Sequence, residues 1–343
     1  MTTTLNRRQF VELTLSAGVG SFLWPAQTLG LDKPTVFSGK RVGIIGLDTS
    51  HSIAFTKELN SPTAAADRPN PDWAGYRVVV AYPKGSNDIE SSVKRIPEYT
   101  EQVKKMGVEI ATSIDDLLGK VDVVMLETND GRLHREQAMK VLATGKPVFI
   151  DKPLAASLSD IVAIMEAAKK GKTPLFSASS VRYINGIAGL DKAQVVGADT
   201  FSPAILEKTH PDLFWYGIHG VEALFAVMGT GCESVVRLNT PNTDIVTGIW
   251  ADGRVGTFRG TRTGKNIYGG TVFVKDGTGT LTLGPYGGYN PLLKDIIRFF
   301  ETGEAPVKLE ETLEIYTFME AAHESKRKGG VSVRLDSVLK KAQ

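Results

Sequence analysis

Residues 40–52, KRVGIIGLDTSHS, constrain this chain more than any other stretch. Val42, Ile44 and Ile45 make a short apolar run closed by Gly46, the pattern of a buried parallel strand whose tip turns into a helix. A nucleotide-binding turn of this kind wants glycine at 46, 48 and 51. The second lets a pyrophosphate approach the backbone, and the third lets helix and strand pack closely. Here the second is Asp48 and the third is His51. A carboxylate at 48 brings bulk and negative charge to where two phosphates would sit, so ordinary pyrophosphate binding is disfavoured. The pattern predicts the fold more firmly than the cofactor.

The alternation continues beyond the turn. Helices are predicted over 50–60, 88–106, 113–118, 132–143 and 157–170, and strands over 77–82, 108–111, 121–127, 147–150 and 174–178. Ser113 and Asp116 read as a capping box, and Gly145 as a C-cap glycine. Residues 61–76, with three prolines and a tryptophan, read as irregular. Repeated strand–helix units argue for an open, mostly parallel sheet with right-handed crossovers. The strand over 77–82 ends in Tyr82-Pro83-Lys84-Gly85-Ser86, without the acid that holds ribose hydroxyls in NAD-binding folds. Lys84 with Ser86 suits a 2′-phosphate and so NADP; a solvated loop accounts for them equally well.

The second half changes rhythm. Strand-like runs over 194–206, 233–239, 243–251, 255–262, 270–275 and 279–283 are separated by turn residues. Asp252-Gly253 and Asp276-Gly277 are hairpin signals. Helices are expected over 291–301 and 311–326. The predicted architecture is an α/β Rossmann-like N-terminal domain, 38–155, plus an α+β C-terminal domain, 156–343, with a large antiparallel sheet. Its last strand and closing helices are expected to pack back on the first domain.

Residues 1–30 read as a targeting segment: Arg7-Arg8 precede a mildly apolar stretch interrupted by Glu12, the pattern of twin-arginine export to the periplasm. An amphipathic first helix or membrane anchor is the alternative. With 42% hydrophobic and 23% charged residues, the chain has the composition of a soluble globular protein. A net charge of +2 without a basic run gives no reason to expect nucleic acid. Cys232 is the only cysteine, which excludes an intrachain disulfide and a thiolate metal cluster.

Gly43-Ile-Ile-Gly46, His134 after Glu127-Thr128-Asn129, Ala143-Thr-Gly-Lys-Pro147 and Asp151-Lys152-Pro153-Leu154 together resemble the Gfo/Idh/MocA family. The family includes glucose-fructose oxidoreductase and inositol dehydrogenase. Its tripeptide is usually Glu-Lys-Pro, whose lysine contacts cofactor and substrate. The resemblance implies NAD or NADP, a sugar or cyclitol substrate, and a homo-oligomer through the second sheet. Val181-Arg182-Tyr183 resembles the family's arginine-containing crossing segment. In the block from His210 to Glu222, His219 matches the catalytic histidine that takes the proton of the substrate hydroxyl. The family's aspartate four residues earlier is Trp215 here, and the later one is Glu222; Asp212 is a possible replacement one turn upstream.

The catalytic candidates are therefore Lys152, His219 and Asp212. The cofactor candidates are Gly43, Gly46, Asp48, Thr49, Ser50 and His51 at the first turn, Lys84 after the second strand, and Thr128, Asn129, His134 and Lys152 beyond it. Arg182, His210, Trp215 and Tyr216 are the substrate candidates. A histidine near neutral pKa beside a lysine suits a general base with an electrostatic partner. A competing set, Asp48, His51, His210, His219 and Glu222, offers N and O ligands to a metal. His323, and His134 on its helix, also read as structural. Three functions stay open: an exported NAD(P)-dependent oxidoreductase working on a secondary alcohol, a metal- or base-assisted sugar lyase, hydrolase or epimerase, and a sugar-binding protein without chemistry.

Overall fold

The computed structural model describes residues 40–61 and 73–343. The proposed targeting segment and most of the irregular stretch over 61–76 lie outside the described residues.

The first sheet comes from β1 (Arg41–Ile45), β2 (Arg77–Tyr82), β3 (Glu109–Ile110), β4 (Val123–Leu126), β5 (Val148–Ile150) and β6 (Leu175–Phe176). Its order is β3-β2-β1-β4-β5-β6, and every pairing is parallel. The helices α1 (Ser50–Leu59), α2 (Glu90–Lys105), α3 (Ile114–Leu118), α4 (Gly131–Leu142) and α5 (Leu158–Gly171) connect the strands. The order reverses between β1 and β4, and at such a switch point the strand tips open a ligand crevice.

Period-two burial splits the core across this sheet. Val42, Ile44, Met125 and Phe149 face α1, while Ile45, Val124, Leu126 and Ile150 face the opposite layer. Gly43 belongs to this packing: a Cβ there would lie 2.7 Å from Leu117, so glycine lets α3 close on the strand. Ser113 caps α3 by accepting the Asp116 N–H at 3.0 Å.

A second sheet follows, in the order β12-β11-β7-β10-β9-β8-β13. Its strands are β7 (Val195–Pro203), β8 (Cys232–Asn239), β9 (Thr243–Trp250), β10 (Val255–Thr261), β11 (Gly269–Val274), β12 (Thr280–Leu283) and β13 (Val333–Arg334). The two Asp-Gly signals fall at the β9–β10 and β11–β12 turns, where Gly253 and Gly277 have φ of +85° and +93°. The sheet is mixed rather than wholly antiparallel, because β7 and β10 pair in parallel. A long connection separates them, and β8 and β9 fill the other side of β10.

The helix α6 (Ile218–Met228) is entirely buried; a π-helical turn over Leu213–Gly217 leads into it. Gly220 permits its close approach to the sheet, since a Cβ there would lie 2.3 Å from Phe258. The helix α7 (Asn290–Thr302) returns to the first sheet, where Leu292, Ile296 and Phe299 join the layer around α1. The chain ends with α8 (Leu309–Arg327) and α9 (Leu335–Ala342).

Candidate functional site

The carboxyl edge of the first sheet meets the start of α6 across a cavity of about 340 Å³. Thr49, Ser50 and His51 line it from the β1–α1 turn, and Asn129 and Lys152 from the tips of β4 and β5. Trp215, Tyr216 and His219 line it from the π-turn and α6, and Tyr268, Tyr286 and Tyr289 close it. A wall of tyrosines beside charged groups offers ring faces and hydroxyls together, which suits a polyhydroxylated ring.

His219 is buried, with Nδ1 at 2.7 Å from the Ser179 hydroxyl. The rings of Tyr216 and Tyr268 stand edge-on to it at 5.0 and 6.0 Å. Burial holds its pKa well below the usual imidazole range, and the neighbouring Lys152 and His51 lower it further. His219 is therefore a neutral imidazole. Lys152 places its ammonium 5.8 Å from the Tyr216 ring centre, within cation–π reach. His51 Nδ1 lies 2.8 Å from Asp151 Oδ2, with α1 supplying the imidazole and β5 the carboxylate.

Residues 40–179 match the sequence model of the Gfo/Idh/MocA oxidoreductase family, NAD-binding Rossmann fold. The matched segment takes in the whole first sheet and stops before the second. An uncharacterized oxidoreductase of Streptococcus pneumoniae is 28% identical over 109 residues, covering 31% of this chain and 29% of that protein. An inositol 2-dehydrogenase of Gluconacetobacter diazotrophicus is 41% identical over 59 residues, 17% of this chain and 18% of the relative. The chain thus aligns with under a third of the length of these relatives. The fold likeness runs further. Myo-inositol dehydrogenase of Lactobacillus casei, solved with NAD(H) and myo-inositol, superposes with a TM-score of 0.64 at 17% identity, covering 86% of this chain and 96% of that one.

Within the matched segment, the first glycine of the turn is kept for a steric reason. Gly46 has φ of +91°, and a Cβ would lie 2.5 Å from the Thr128 backbone. Asp48 is different. Its carboxylate is fully buried and accepts the backbone N–H of Asn129 at 2.9 Å and of Ser86 at 3.2 Å. Burial raises its pKa, and these donors oppose the rise. Gly85 is required opposite it, since a Cβ there would meet Asp48 Oδ2 at 2.1 Å. Asp48 therefore takes up donors at the tips of β2 and β4, so the strand tips do not offer a phosphate those two N–H groups. The cavity instead runs along Thr49 and Ser50 to Arg95 on α2, whose guanidinium donates to the Asp48 carbonyl at 3.3 Å.

Several predicted site residues lie elsewhere. Asp212 is held by Lys326 at 2.5 Å and Arg237 at 3.0 Å, outside the cavity lining; these cations drop its pKa to about 2 despite burial. Arg182 is buried between Glu222 and Glu311, an ion triad that also removes Glu222 from any metal set. His210 accepts the Gly131 N–H at 3.0 Å through Nε2, contacts Thr209 through Nδ1, and packs on Trp215. Lys84 is exposed and does not line the cavity. Thr128 is buried behind Gly46. His134 is locked between the carbonyls of Thr128 and Leu154, and His323 accepts the Leu213 N–H, so both are structural.

The proposed metal set does not converge. Among the described residues, the group of three that does is His51, Glu127 and Asp151. Sequence reasoning gave Glu127 and Asp151 no role of their own, although each is a carboxylate closing an apolar parallel strand. In an open α/β sheet that position faces the crevice. Ser179, Arg95 and the tyrosines Tyr268, Tyr286 and Tyr289 carried no local signal.

Proposed function

We propose that this chain is an exported Gfo/Idh/MocA-type oxidoreductase acting on a secondary alcohol of a sugar or cyclitol. The convergence of Lys152 and His219 on one tyrosine-lined cavity at the carboxyl edge of the first sheet carries the reading. The inositol dehydrogenases among its relatives agree with the substrate class.

Gly46 preserves the nucleotide turn and Arg95 supplies a cation along the cavity, so Thr49, Ser50 and Arg95 would hold the phosphates of a nicotinamide dinucleotide. Asn129 and Lys152 flank the inner end. When bound, nicotinamide supplies the hydride acceptor or donor. The protein's part is proton transfer and orientation. His219 acts as base in the tautomer with its proton on Nδ1, where Ser179 Oγ accepts it and Nε2 is left for a substrate hydroxyl. The Lys152 ammonium stabilises the developing alkoxide, and the tyrosine hydroxyls orient the ring. Lys84 with Ser86 suits a 2′-phosphate in its chemistry, but Lys84 lies off the cavity lining and the Ser86 hydroxyl is bonded to Asp88 and Asp130, so the pair does not choose between NAD and NADP.

Base-assisted elimination or epimerisation is the second reading, favoured by Asp48, which takes up the Ser86 and Asn129 N–H groups that a pyrophosphate would otherwise use. The purified mature protein, incubated with inositols and hexoses with and without NAD or NADP, tests both. Formation of reduced nicotinamide supports the oxidoreductase; substrate conversion with no nicotinamide bound or added supports the second.

Export by the twin-arginine machinery to the periplasm rests on Arg7 and Arg8. A homo-oligomer through the second sheet is supported by Ile249, Val255 and Phe273, exposed apolar side chains in register on β9, β10 and β11.

A further inference from the structure

The tips of β4 and β5 carry a charge problem that the proposed reaction does not use. Leu126 and Ile150 are paired in register, so Glu127 and Asp151 follow side by side and, by strand parity, face α1. Their backbones are anchored: Glu127 N–H donates to Ile45 at 2.7 Å and Asp151 N–H to Leu126 at 2.9 Å. Both side chains are 0% exposed. Neither oxygen of Glu127 has a hydrogen-bond partner, and neither does either oxygen of Asp151. The 2.8 Å contact from His51 Nδ1 to Asp151 lacks hydrogen-bond alignment. Lys152, the nearest lysine in the chain, is directed over Tyr216 and forms no ion pair with either acid among the described residues.

Two adjacent buried carboxylates, Glu127 with no donor and Asp151 with only the His51 imidazole and the Lys152 N–H beside it, are unfavourable unless a positive charge lies between them. A proton on Glu127 removes one charge, but no hydrogen bond joins Glu127 to Asp151, so its O–H is left without an acceptor. One ligand atom each from His51, Glu127 and Asp151 lies within 4.8 Å of the others, a spacing that a single ion can span. We infer that His51, Glu127 and Asp151 form a binding site for one divalent transition-metal ion, of the Zn²⁺ or Mn²⁺ class. One imidazole nitrogen and two carboxylates are the donor mixture these ions accept. His51 also lines the cavity, so the ion lies directly behind the cavity wall and ties α1 to two strand tips. The inference does not rest on the proposed oxidoreductase activity, and its test needs neither substrate nor nicotinamide.

The full chain is equilibrated with Zn²⁺ or Mn²⁺ at neutral pH, dialysed free of unbound ion, and its metal content measured. About one ion per chain is expected to remain. Glu127→Gln and Asp151→Asn are each expected to weaken binding about a hundredfold. His210→Gln and His219→Asn, from the alternative ligand set, are expected to bind as the wild type does. Because a ligand variant can fail to fold, the wild type is also melted with and without ion. A rise in Tm of roughly 5 °C at hundredfold excess over Kd supports the site. Folded wild-type protein that retains neither ion and melts unchanged overturns it. So does Glu127→Gln retaining the ion at wild-type affinity, or loss of the ion in His219→Asn alone.

Discussion

The Ser179 hydroxyl stands 2.7 Å from Nδ1 of His219, joining the chain that leaves the first sheet to the first turn of α6. Ser179 Oγ also accepts the Val181 N–H at 3.1 Å, which holds it in place. The contact fixes the orientation of the imidazole at the cavity wall. His219→Asn is expected to lower kcat by about two to four decades, the range for a general base, with a smaller change in substrate Kd. Ser179→Ala should lower kcat less and move the acidic limb of the pH–rate profile, a shift that a purely structural residue would not cause. Wild-type turnover in His219→Asn on a verified substrate places the base elsewhere.

Lys152→Met is expected to impair ligand affinity and kcat together. The substitution keeps a long side chain but removes the charge beside Tyr216. Calorimetry of nicotinamide and substrate binding, alongside turnover, checks it. An unchanged Kd for both ligands with normal kcat removes Lys152 from the site.

Asp48→Gly should have two opposed effects. It frees the N–H groups of Ser86 and Asn129 for phosphate and removes a negative charge, so NAD(P) should bind at least tenfold tighter. It also breaks two hydrogen bonds to a buried carboxylate, which costs about 2–4 kcal/mol in the protein without ligand. Titration and urea unfolding measure the two separately. Weaker nicotinamide binding by a variant that remains folded counts against the phosphate position assigned here.

His210 makes stability pH-dependent. Burial holds its pKa at about 4, below the ordinary value near 6.5, so the unfolded chain binds the extra proton first. Its contribution is complete above about pH 6.5 and is lost as pH falls toward 4, by up to about 3 kcal/mol. His210→Gln should flatten that part of the stability curve in urea titrations at stepped pH. An identical slope in wild type and variant assigns the acid sensitivity to other groups.

Replacing Arg7 and Arg8 with Lys should leave the protein in the cytoplasm of its host, as read by fractionation. Continued export at the normal rate is incompatible with the twin-arginine assignment.

The sequence by itself determined the elements and the place of the cavity. Apolar runs of period two, Gly46, the Asp-Gly turns and the Asp151-Lys152-Pro153 tripeptide act over a few residues, and local chemistry decides what they form. They imply a parallel sheet, and a parallel sheet opens its ligand crevice at the strand tips. Only the tertiary structure decided which polar side chains meet. Arg182, His210 and Asp212 have the chemistry of site residues, but partners distant in sequence claim them: Glu222 and Glu311, Gly131, and Arg237 with Lys326. Asp48 follows the same rule, its charge turned inward onto two backbone donors. Conversely, Glu127, Asp151 and His51 come from separate strands and a helix, and the register of β4 with β5 brings them together. A buried charge must find its partner in three dimensions, and no spacing along the chain encodes which partner that is.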